Sequence, residues 1–379
     1  MRHPLRAIAL SLLATLVGSL SCAEPSGPNS NDHDQQLVIA GTEDGTIVVD
    51  LDWGGVVRTM GPRFVSHGPS AMDAQNQVVS VGRLATDEQV MVGLDAGTGI
   101  ELWRVPIANG NTAIEVSGIR LGASAFAMHA TRPEVFLWRA QSAEGFGVVQ
   151  YHVLQNRVTR FIGPVEARFR GMVATPPSVE HPNGCLVMGL DAGPASTARA
   201  FLHRVCDGTY ADRDSIGIAL PSRLIGEIRL SADGKDLVVM TDLEFLRYDA
   251  FTLELETKAA RPLDAPFFMT RSRGRLIIPD VGTSVVASTG IIYLLDSDLE
   301  LVAIIDLRVI PFGERPLGIL GAEESADGRW LYIMGGVPRD GPSYGPEQTH
   351  VLVIDQVSGA LRRVVRLKTF GGGGPFLIP

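Results

Sequence analysis

Residues 325–336 read SADGRWLYIMGG, and a near copy, SADGKDLVVMTD, begins 94 positions earlier at Ser231. The Asp-Gly pair supplies the positive φ that a tight turn needs, and the apolar run after it favours a half-buried strand. Each copy therefore predicts a strand, a turn and a second strand. The spacing is too long for one supersecondary unit, but it suits two units of about 45 to 50 residues, the length of a β-propeller blade.

Weaker copies extend the same period through the chain. RSRGRLIIPDV lies between the two clear copies, and it keeps Gly274 ahead of an apolar strand. A second landmark is a strand that ends in Asp and is followed by a turn and another strand. This landmark occurs at Asp52, Asp95, Asp249, Asp296 and Asp355, while GVVQYHVLQNRVTRFIG keeps the strands without the Asp. A seventh unit covers residues 166–205, with a weak fourth strand near residues 216–220.

Together these units predict an all-β fold, a seven-bladed β-propeller with about 49 residues per blade. No stretch after the N-terminal leader sustains a helical spacing of apolar residues, and the apolar runs are short and bounded by Gly, Pro, Asp and Asn. The composition, with 42 Gly, 23 Pro and 45% hydrophobic residues, suits many short strands joined by turns.

The two ends of the body predict how the ring closes. The body opens at QQLVIAGTEDGTIVVDLDWGGVVRTM with three strands and no inner one, and the last blade is complete by Leu367. The chain then continues through GGGGPFLIP, so one strand is missing at the start and one is left over at the end. We therefore expect residues 376–378 to form the inner strand of the first blade, which would remove two sheet edges. A frayed tail is the alternative.

Two family resemblances rest on these motifs. The Ser-Ala-Asp-Gly unit, followed by VLVIDQVSGALRRVVRL, resembles the repeat of YVTN-type bacterial β-propellers, a group that includes lactonase-like propellers. GLDAGTGIELW resembles the tryptophan-docking repeat of quinoprotein-type propellers, with Asp95, Thr98, Gly99 and Trp103 at matching positions. The docking repeat occurs once, so we interpret it as a blade-packing element and do not infer a quinone site.

The N-terminal residues have the pattern of an export signal. Residues 1–21 carry Arg2 and Arg6 ahead of an apolar run, as a secretory leader does, and the run is too short to cross a bilayer. Cys22 follows the leader, and the polar residues 22–36 resemble the tether of bacterial lipoproteins, which implies lipidation of Cys22. Residues 37–379 would form the propeller. We expect a protein anchored in the bacterial cell envelope, in the outer membrane because Glu24 follows Ala23. An ordinary cleaved leader, giving a periplasmic or secreted protein, is the alternative.

The cysteine content and the net charge are consistent with a location in the cell envelope. Cys185 and Cys206 are the two cysteines of the body, and CLVMGLD and ARAFLHRVC read as neighbouring antiparallel strands. They predict a disulfide, with two unrelated buried thiols as the alternative. Without the leader, 31 basic residues stand against 42 acidic ones, a charge that opposes nucleic-acid binding.

The chain offers few candidates for chemistry. GGGGP, residues 371–375, lacks the Lys and the following helix of a phosphate loop. His129, His152, His203 and His350 have no metal-ligand spacing and are interpreted as structural. Asp50 and Asp52 share one face of a strand and could bind a hard cation or act as an acid/base pair, although a solvated turn edge explains them better. We predict no catalytic, cofactor or metal site from the sequence.

Two classes of function remain open. The first is a non-catalytic, monomeric envelope propeller that binds a protein, peptide or glycan on one face of the ring. The second is a lactonase-like or quinoprotein-like enzyme whose site is assembled at the central channel from several blades. The carboxylates and histidines that line the channel would distinguish them.

Overall fold

The computed structural model describes most of the body, and Cys22, the leader and the tether before Gln36 lie outside the described residues. The described residues are 36–42, 44–51, 54–72, 75–107, 115–122, 125–192, 199–206, 216–220, 225–231, 233–260, 268–270, 274–281, 288–307, 318–325, 327–338, 346–367 and 375–378. Every regular element within these ranges is a β-strand. None of the described segments forms a helix that could span a membrane.

Thirty strands of the described residues form seven antiparallel sheets, which are the seven blades. Blade 1 contains β1 (Gln36–Thr42), β2 (Gly45–Asp50), β3 (Gly55–Met60) and β30 (Pro375–Ile378). Blade 2 contains β4 (Ser66–Met72), β5 (Gln77–Arg83), β6 (Gln89–Asp95) and β7 (Glu101–Ile107). Blade 3 contains β8 (Glu115–Val116), β9 (Ile119–Arg120), β10 (Phe126–Met128), β11 (Glu134–Ser142), β12 (Gly145–His152) and β13 (Arg157–Ile162).

The other four blades have four consecutive strands each. Blade 4 contains β14 (Arg168–Ala174), β15 (Leu186–Ala192), β16 (Arg199–Val205) and β17 (Ile216–Ala219). Blade 5 contains β18 (Ile225–Leu230), β19 (Asp236–Thr241), β20 (Glu244–Asp249) and β21 (Leu255–Ala260). Blade 6 contains β22 (Phe268–Met269), β23 (Leu276–Val281), β24 (Ser288–Leu295) and β25 (Leu301–Asp306), and blade 7 contains β26 (Gly318–Glu324), β27 (Trp330–Pro338), β28 (Pro346–Asp355) and β29 (Leu361–Leu367).

The predicted closure of the ring is confirmed. β30 pairs with β1, with Leu377 opposite Leu37 and Phe376 opposite Val38, so the C-terminal strand completes the first blade. β30 also lies beside β26, the first strand of blade 7. The C-terminal strand β30 therefore occupies the inner position of blade 1, and the first and last strands of the described body share one sheet.

The core consists of apolar layers between adjacent blades. Seven clusters of buried residues each join a pair of neighbouring blades, so together they follow the whole ring. The cluster between blades 7 and 1, for example, packs Val351 and Met334 against Leu37 and Ile39. Burial of a side chain of this size contributes about 1.5–3 kcal/mol, so these layers are the main stabilising term.

The Ser-Ala-Asp-Gly motif is a hydrogen-bonded turn between the first and second strands of a blade. In blade 7, Ser325 Oγ donates to Asp327 Oδ1 and accepts the N–H of Trp330, 2.8 Å away. Gly328 has φ of +71°, as the Asp-Gly pair predicts. Ser231 and Asp233 form the same interactions in blade 5. The repeated motif is therefore explained by turn chemistry.

The Asp landmark is also a turn element, at the end of the third strand. Asp95 Oδ1 accepts hydrogen bonds from Thr98 N and Oγ1, at 2.6 and 2.8 Å, and Asp249 and Asp355 accept N–H groups in the same way. The assignment of Asp52 to this series was wrong. Asp50 is the last residue of β2, and its carbonyl accepts the N–H of Gly54. The carbonyl of Asp95 accepts the N–H of Gly99 in the same way. Asp52 lies outside the described residues.

Arginines link several blades to the next one. Arg58 donates to the carbonyls of Ala96 and Gly97 at 2.7 and 2.6 Å, and Arg363 donates to the carbonyl of Leu51 at 2.9 Å. Arg160 likewise reaches the carbonyl of Cys206, and Arg247 that of Ser297. Each acceptor lies in or beside the turn after a third strand. The several N–H donors of a guanidinium suit this bridging role.

The predicted disulfide between Cys185 and Cys206 is present. Its cysteines flank the paired residues Leu186 and Val205 of β15 and β16. Both cysteines are buried, and they join the start of the second strand of blade 4 to the end of the third.

Candidate functional site

A cavity of about 330 Å³ lies between blades 2 and 3. It is on the face of the ring that carries the turns between first and second strands and between third and fourth strands, which we call the turn face. Its lining residues are Gln75, Gln77, Leu102, Trp103, His129, Ala130, Thr131, Arg132, Pro133 and Leu154. Apolar walls with a few convergent polar groups are typical of small-ligand and peptide sites.

Trp103 forms the blade 2 side of the cavity. Its ring lies flat on Gly93, its partner across β6 and β7, where a Cβ would be 2.2 Å from the ring. The indole Nε1–H donates to Gln77 Oε1 at 2.7 Å. The docking repeat therefore does pack a tryptophan within its blade, as expected, and it also places that tryptophan at a cavity.

His129 lies at the base of the blade 3 side and is buried. Its Nδ1 accepts the N–H groups of Thr131 and Arg132, both at 3.2 Å, and Nε2 is 2.8 Å from the carbonyl of Asn183. This pattern requires a neutral ring with the proton on Nε2. Burial lowers the pKa of His129, which favours the same form. Because both ring nitrogens are engaged, His129 shapes the loop and is not positioned as a proton-transfer base.

Arg132 supplies the positive charge of the cavity. Its guanidinium donates to Asn183 of blade 4 and lies 3.9 Å from Glu134, while 44% of the side chain is exposed. Glu134 is buried and accepts a hydrogen bond from Gln150 at 2.7 Å. Asn183 and Glu134 therefore fix the orientation of Arg132, and the exposed part of its side chain is accessible to a ligand. An oriented guanidinium beside an indole suits a carboxylate or a peptide carbonyl next to an apolar side chain.

The other predicted candidates do not gather at this cavity. His152 takes the place of the landmark Asp in blade 3, since its Nδ1 accepts the N–H of Gln155 at 3.2 Å. His203 and His350 are buried in the third strands of blades 4 and 7. The glycines of GGGGP, residues 371–374, lie outside the described residues, and Pro375 begins β30. No sequence pattern indicated that His129 and Arg132 lie near Trp103. The docking repeat marked Trp103 alone.

Several charged groups on or next to the inner strands of the described residues form local pairs. Arg170 pairs with the buried Asp191, and Arg229 pairs with Glu227. Glu324 accepts hydrogen bonds from Arg275 and Gln356 at 3.1 and 2.9 Å, across the boundary of blades 6 and 7. These carboxylates, Asp191, Glu227 and Glu324, are each held by an arginine or a glutamine.

Within the part of the chain that the structure describes, one group of metal-binding residue types occurs, and its sulfurs are already bonded. The ligand atoms of His181, Cys185 and Cys206 lie within 4.8 Å of one another. Both sulfurs belong to the disulfide, so they are not available as thiolate ligands in this state.

No protein-family model and no curated protein matches the chain. Solved structures do. Dihydro-heme d1 dehydrogenase NirN, in complex with DHE, is 11% identical over 93% of this chain and 77% of its own, with a TM-score of 0.53. A functionally unknown protein from Desulfotomaculum acetoxidans DSM 771 is 13% identical over 91% and 98%, with a TM-score of 0.50. At such identities the likeness is one of fold, and that fold is the β-propeller.

Proposed function

We propose that the protein is a non-catalytic binding propeller of the bacterial envelope, of the YVTN-like kind, anchored by a lipid on Cys22. Its ligand would be a protein or peptide segment that binds in the cavity between blades 2 and 3. The leader, the Cys at its end and the polar tether support the anchor. The observation that carries the binding role is the cavity itself, which is lined by two exposed leucines, by Trp103 and by the oriented guanidinium of Arg132.

The state of His129 favours binding over catalysis at this place. A general base needs a lone pair directed at the substrate, and both nitrogens of His129 are used by the backbone. The apolar contribution comes from Leu102 and Leu154, which are 45% and 62% exposed. An apolar ligand side chain that covers them would be the anchor of the complex, and Arg132 would select an acceptor group beside it.

Site-specific photocrosslinking in cells tests the binding role. A photoreactive phenylalanine analogue at Leu154 should give discrete covalent adducts with a partner. The control is the analogue at Leu243, which is 63% exposed but lies between the second and third strands of blade 5, on the opposite face of the ring. Absence of adducts at Leu154, or the same adducts at both positions, contradicts the proposal.

The anchor is tested separately. Mass spectrometry of the N-terminal peptide from membrane fractions should find a diacylated or triacylated Cys22, and Cys22→Ala should release the protein from the membrane. An unmodified N-terminus at another residue ends the lipoprotein hypothesis without affecting the cavity.

A further inference from the structure

Arg204 is a buried arginine of blade 4 whose side chain has no partner among the described residues. It lies in β16 and is 7% exposed. Its Nε has no hydrogen-bond partner, and within the described ranges no group accepts a hydrogen bond from its side chain or forms an ion pair with it. Asp249 and Glu180 attract it only as more distant charges. A buried charge without a partner costs several kcal/mol, so its presence needs a cause.

The side chain faces blade 5. Leu202 and Arg204 share one side of β16 because alternate residues of a strand point the same way. Leu202 belongs to the apolar cluster between blades 4 and 5. Arg204 is therefore the continuation of that layer toward the turn face, next to the end of the strand.

Blade 5 contains an arginine at the matching position. In blade 4, Thr175 Oγ1 accepts the N–H of Cys185, as Ser231 Oγ accepts the N–H of Asp236 in blade 5. Cys185 is thus the equivalent of Asp236. Across the sheet, Cys206 lies beside Cys185 as Asp249 lies opposite Asp236. Arg204 and Arg247 each precede that residue by two positions.

The matching side chains in the flanking blades have acidic partners. Arg247 is paired with Asp236 at 2.9 Å, Glu256 at 3.0 Å and Asp298 at 3.0 Å. In blade 3 the matching side chain is Gln150, which donates to Glu134 at 2.7 Å.

Blade 4 has no carboxylate there. The position of Asp236 and Glu134 is taken by Cys185, whose sulfur is bonded to Cys206. Blade 4 therefore has a guanidinium at this position, but the residue at the position of the acid is half of a disulfide.

We propose that Arg204 is the anchor of an anion-binding site between blades 4 and 5, where a carboxylate or phosphate group of a ligand takes the place of the missing acid. A guanidinium binds such oxyanions through two parallel N–H groups, which a lysine does not reproduce. The site is on the turn face, two blades along from the cavity, and it does not depend on the function proposed for that cavity.

Thermal unfolding of the full mature domain in the presence of inorganic phosphate, or of acetate, at constant ionic strength tests the site. Saturating anion should raise the Tm of the wild type by about 2–4 °C, as a ligand at roughly 100 times its Kd does for a chain of this size. Arg204→Met should lose this response and should melt higher than the wild type without anion, because an unpaired buried charge is gone. Arg247→Met, the control, should melt lower and keep the response.

The outcomes separate the alternatives. A stronger effect of phosphate or of acetate tells which oxyanion the site prefers. If Arg204→Met melts lower than the wild type without anion, the guanidinium has an internal partner and the proposal is overturned. It is equally overturned if neither anion gives a saturable shift, or if Arg204→Met responds as the wild type does.

Discussion

Gln36 in β1 lies directly opposite Ile378 in β30, so the first and last strands of the described body are hydrogen-bonded neighbours. This pairing makes blade 1 from both ends of the chain. Without it, blade 1 would have three strands and β1 would expose an unpaired edge beside blade 7. The closure therefore links the stability of the whole ring to its last few residues.

Deletion of residues 375–379 should destabilise the ring. The deletion removes the inner strand of blade 1 and its contacts with β26, so we expect Tm to fall by roughly 5–10 °C in differential scanning calorimetry. Removal of Pro379 alone, which leaves β30 intact, is the control. A five-residue truncation that melts with the full-length protein would contradict the closure.

Gly93→Ala should be strongly destabilising, although it adds one methyl group. The new Cβ would lie 2.2 Å from the Trp103 ring, which must leave its position and its hydrogen bond to Gln77. We expect a loss of about 1–3 kcal/mol in urea unfolding. Gly55→Ala is the matched control, because no atom lies within 4 Å of its Cβ position. Equal effects of the two substitutions would contradict the packing described for Trp103.

Local chemistry explains how much of the fold was predictable. In turns such as Ser325 to Gly328, the polar backbone groups form hydrogen bonds with side chains of the turn itself. These side chains recur at fixed positions, so the turns can be recognised in the sequence. Closure by β30 followed from counting strands at the two ends. The misplacement of Asp52 has a similar origin, since Asp50 and Asp52 both end an apolar run and only the hydrogen bond from Gly54 distinguishes them.

The candidate sites depend on contacts that no local pattern encodes. Trp103 and Arg132 belong to different blades, and a cavity between them exists only after the blades pack. Arg204 is recognised only in the structure, from its burial without a partner among the described residues and from the comparison of its register with that of Arg247. The sequence shows an arginine and a cysteine there, and neither reveals that a carboxylate is missing.

Removal of the disulfide should lower stability without changing the fold. The bond joins residues 21 positions apart, and a loop of this length corresponds to about 3 kcal/mol in the loop-entropy model. Cys185→Ala with Cys206→Ala should lower the unfolding free energy by that amount. Wild type unfolded in the presence of dithiothreitol should match the double variant. Identical urea midpoints for the oxidised and reduced wild type would contradict a stabilising role.

Acid should weaken the Ser-Ala-Asp-Gly turn. The hydroxyl of Ser325 and the N–H of Arg329 hold the pKa of Asp327 below its usual value of 3.8. A lowered folded-state pKa gives stability that is present above the unfolded pKa and is lost as pH falls through the folded one. Asp327→Asn should therefore lose less stability than the wild type between pH 5 and pH 3 in urea unfolding. Asp87→Asn, which removes an exposed carboxylate, serves as the control, and parallel profiles for Asp327→Asn and the wild type would contradict the prediction.

His129 should make the protein less stable in mildly acidic solution. Burial lowers the pKa of its ring below 6.5; the hydrogen bond to the Asn183 carbonyl opposes this effect, and Arg132 adds to it. The unfolded chain then binds the proton more readily than the folded one, so stability is full above pH 6.5 and is lost as pH falls below it.

His129→Gln should cost roughly 1–3 kcal/mol at pH 7, because the N–H groups of Thr131 and Arg132 lose their acceptor. It should also flatten the decline in unfolding free energy from pH 7 to pH 5, whereas His152→Gln should leave that decline in place. If the decline is as steep in His129→Gln as in the wild type, the neutral, backbone-bonded imidazole at the base of the cavity is refuted.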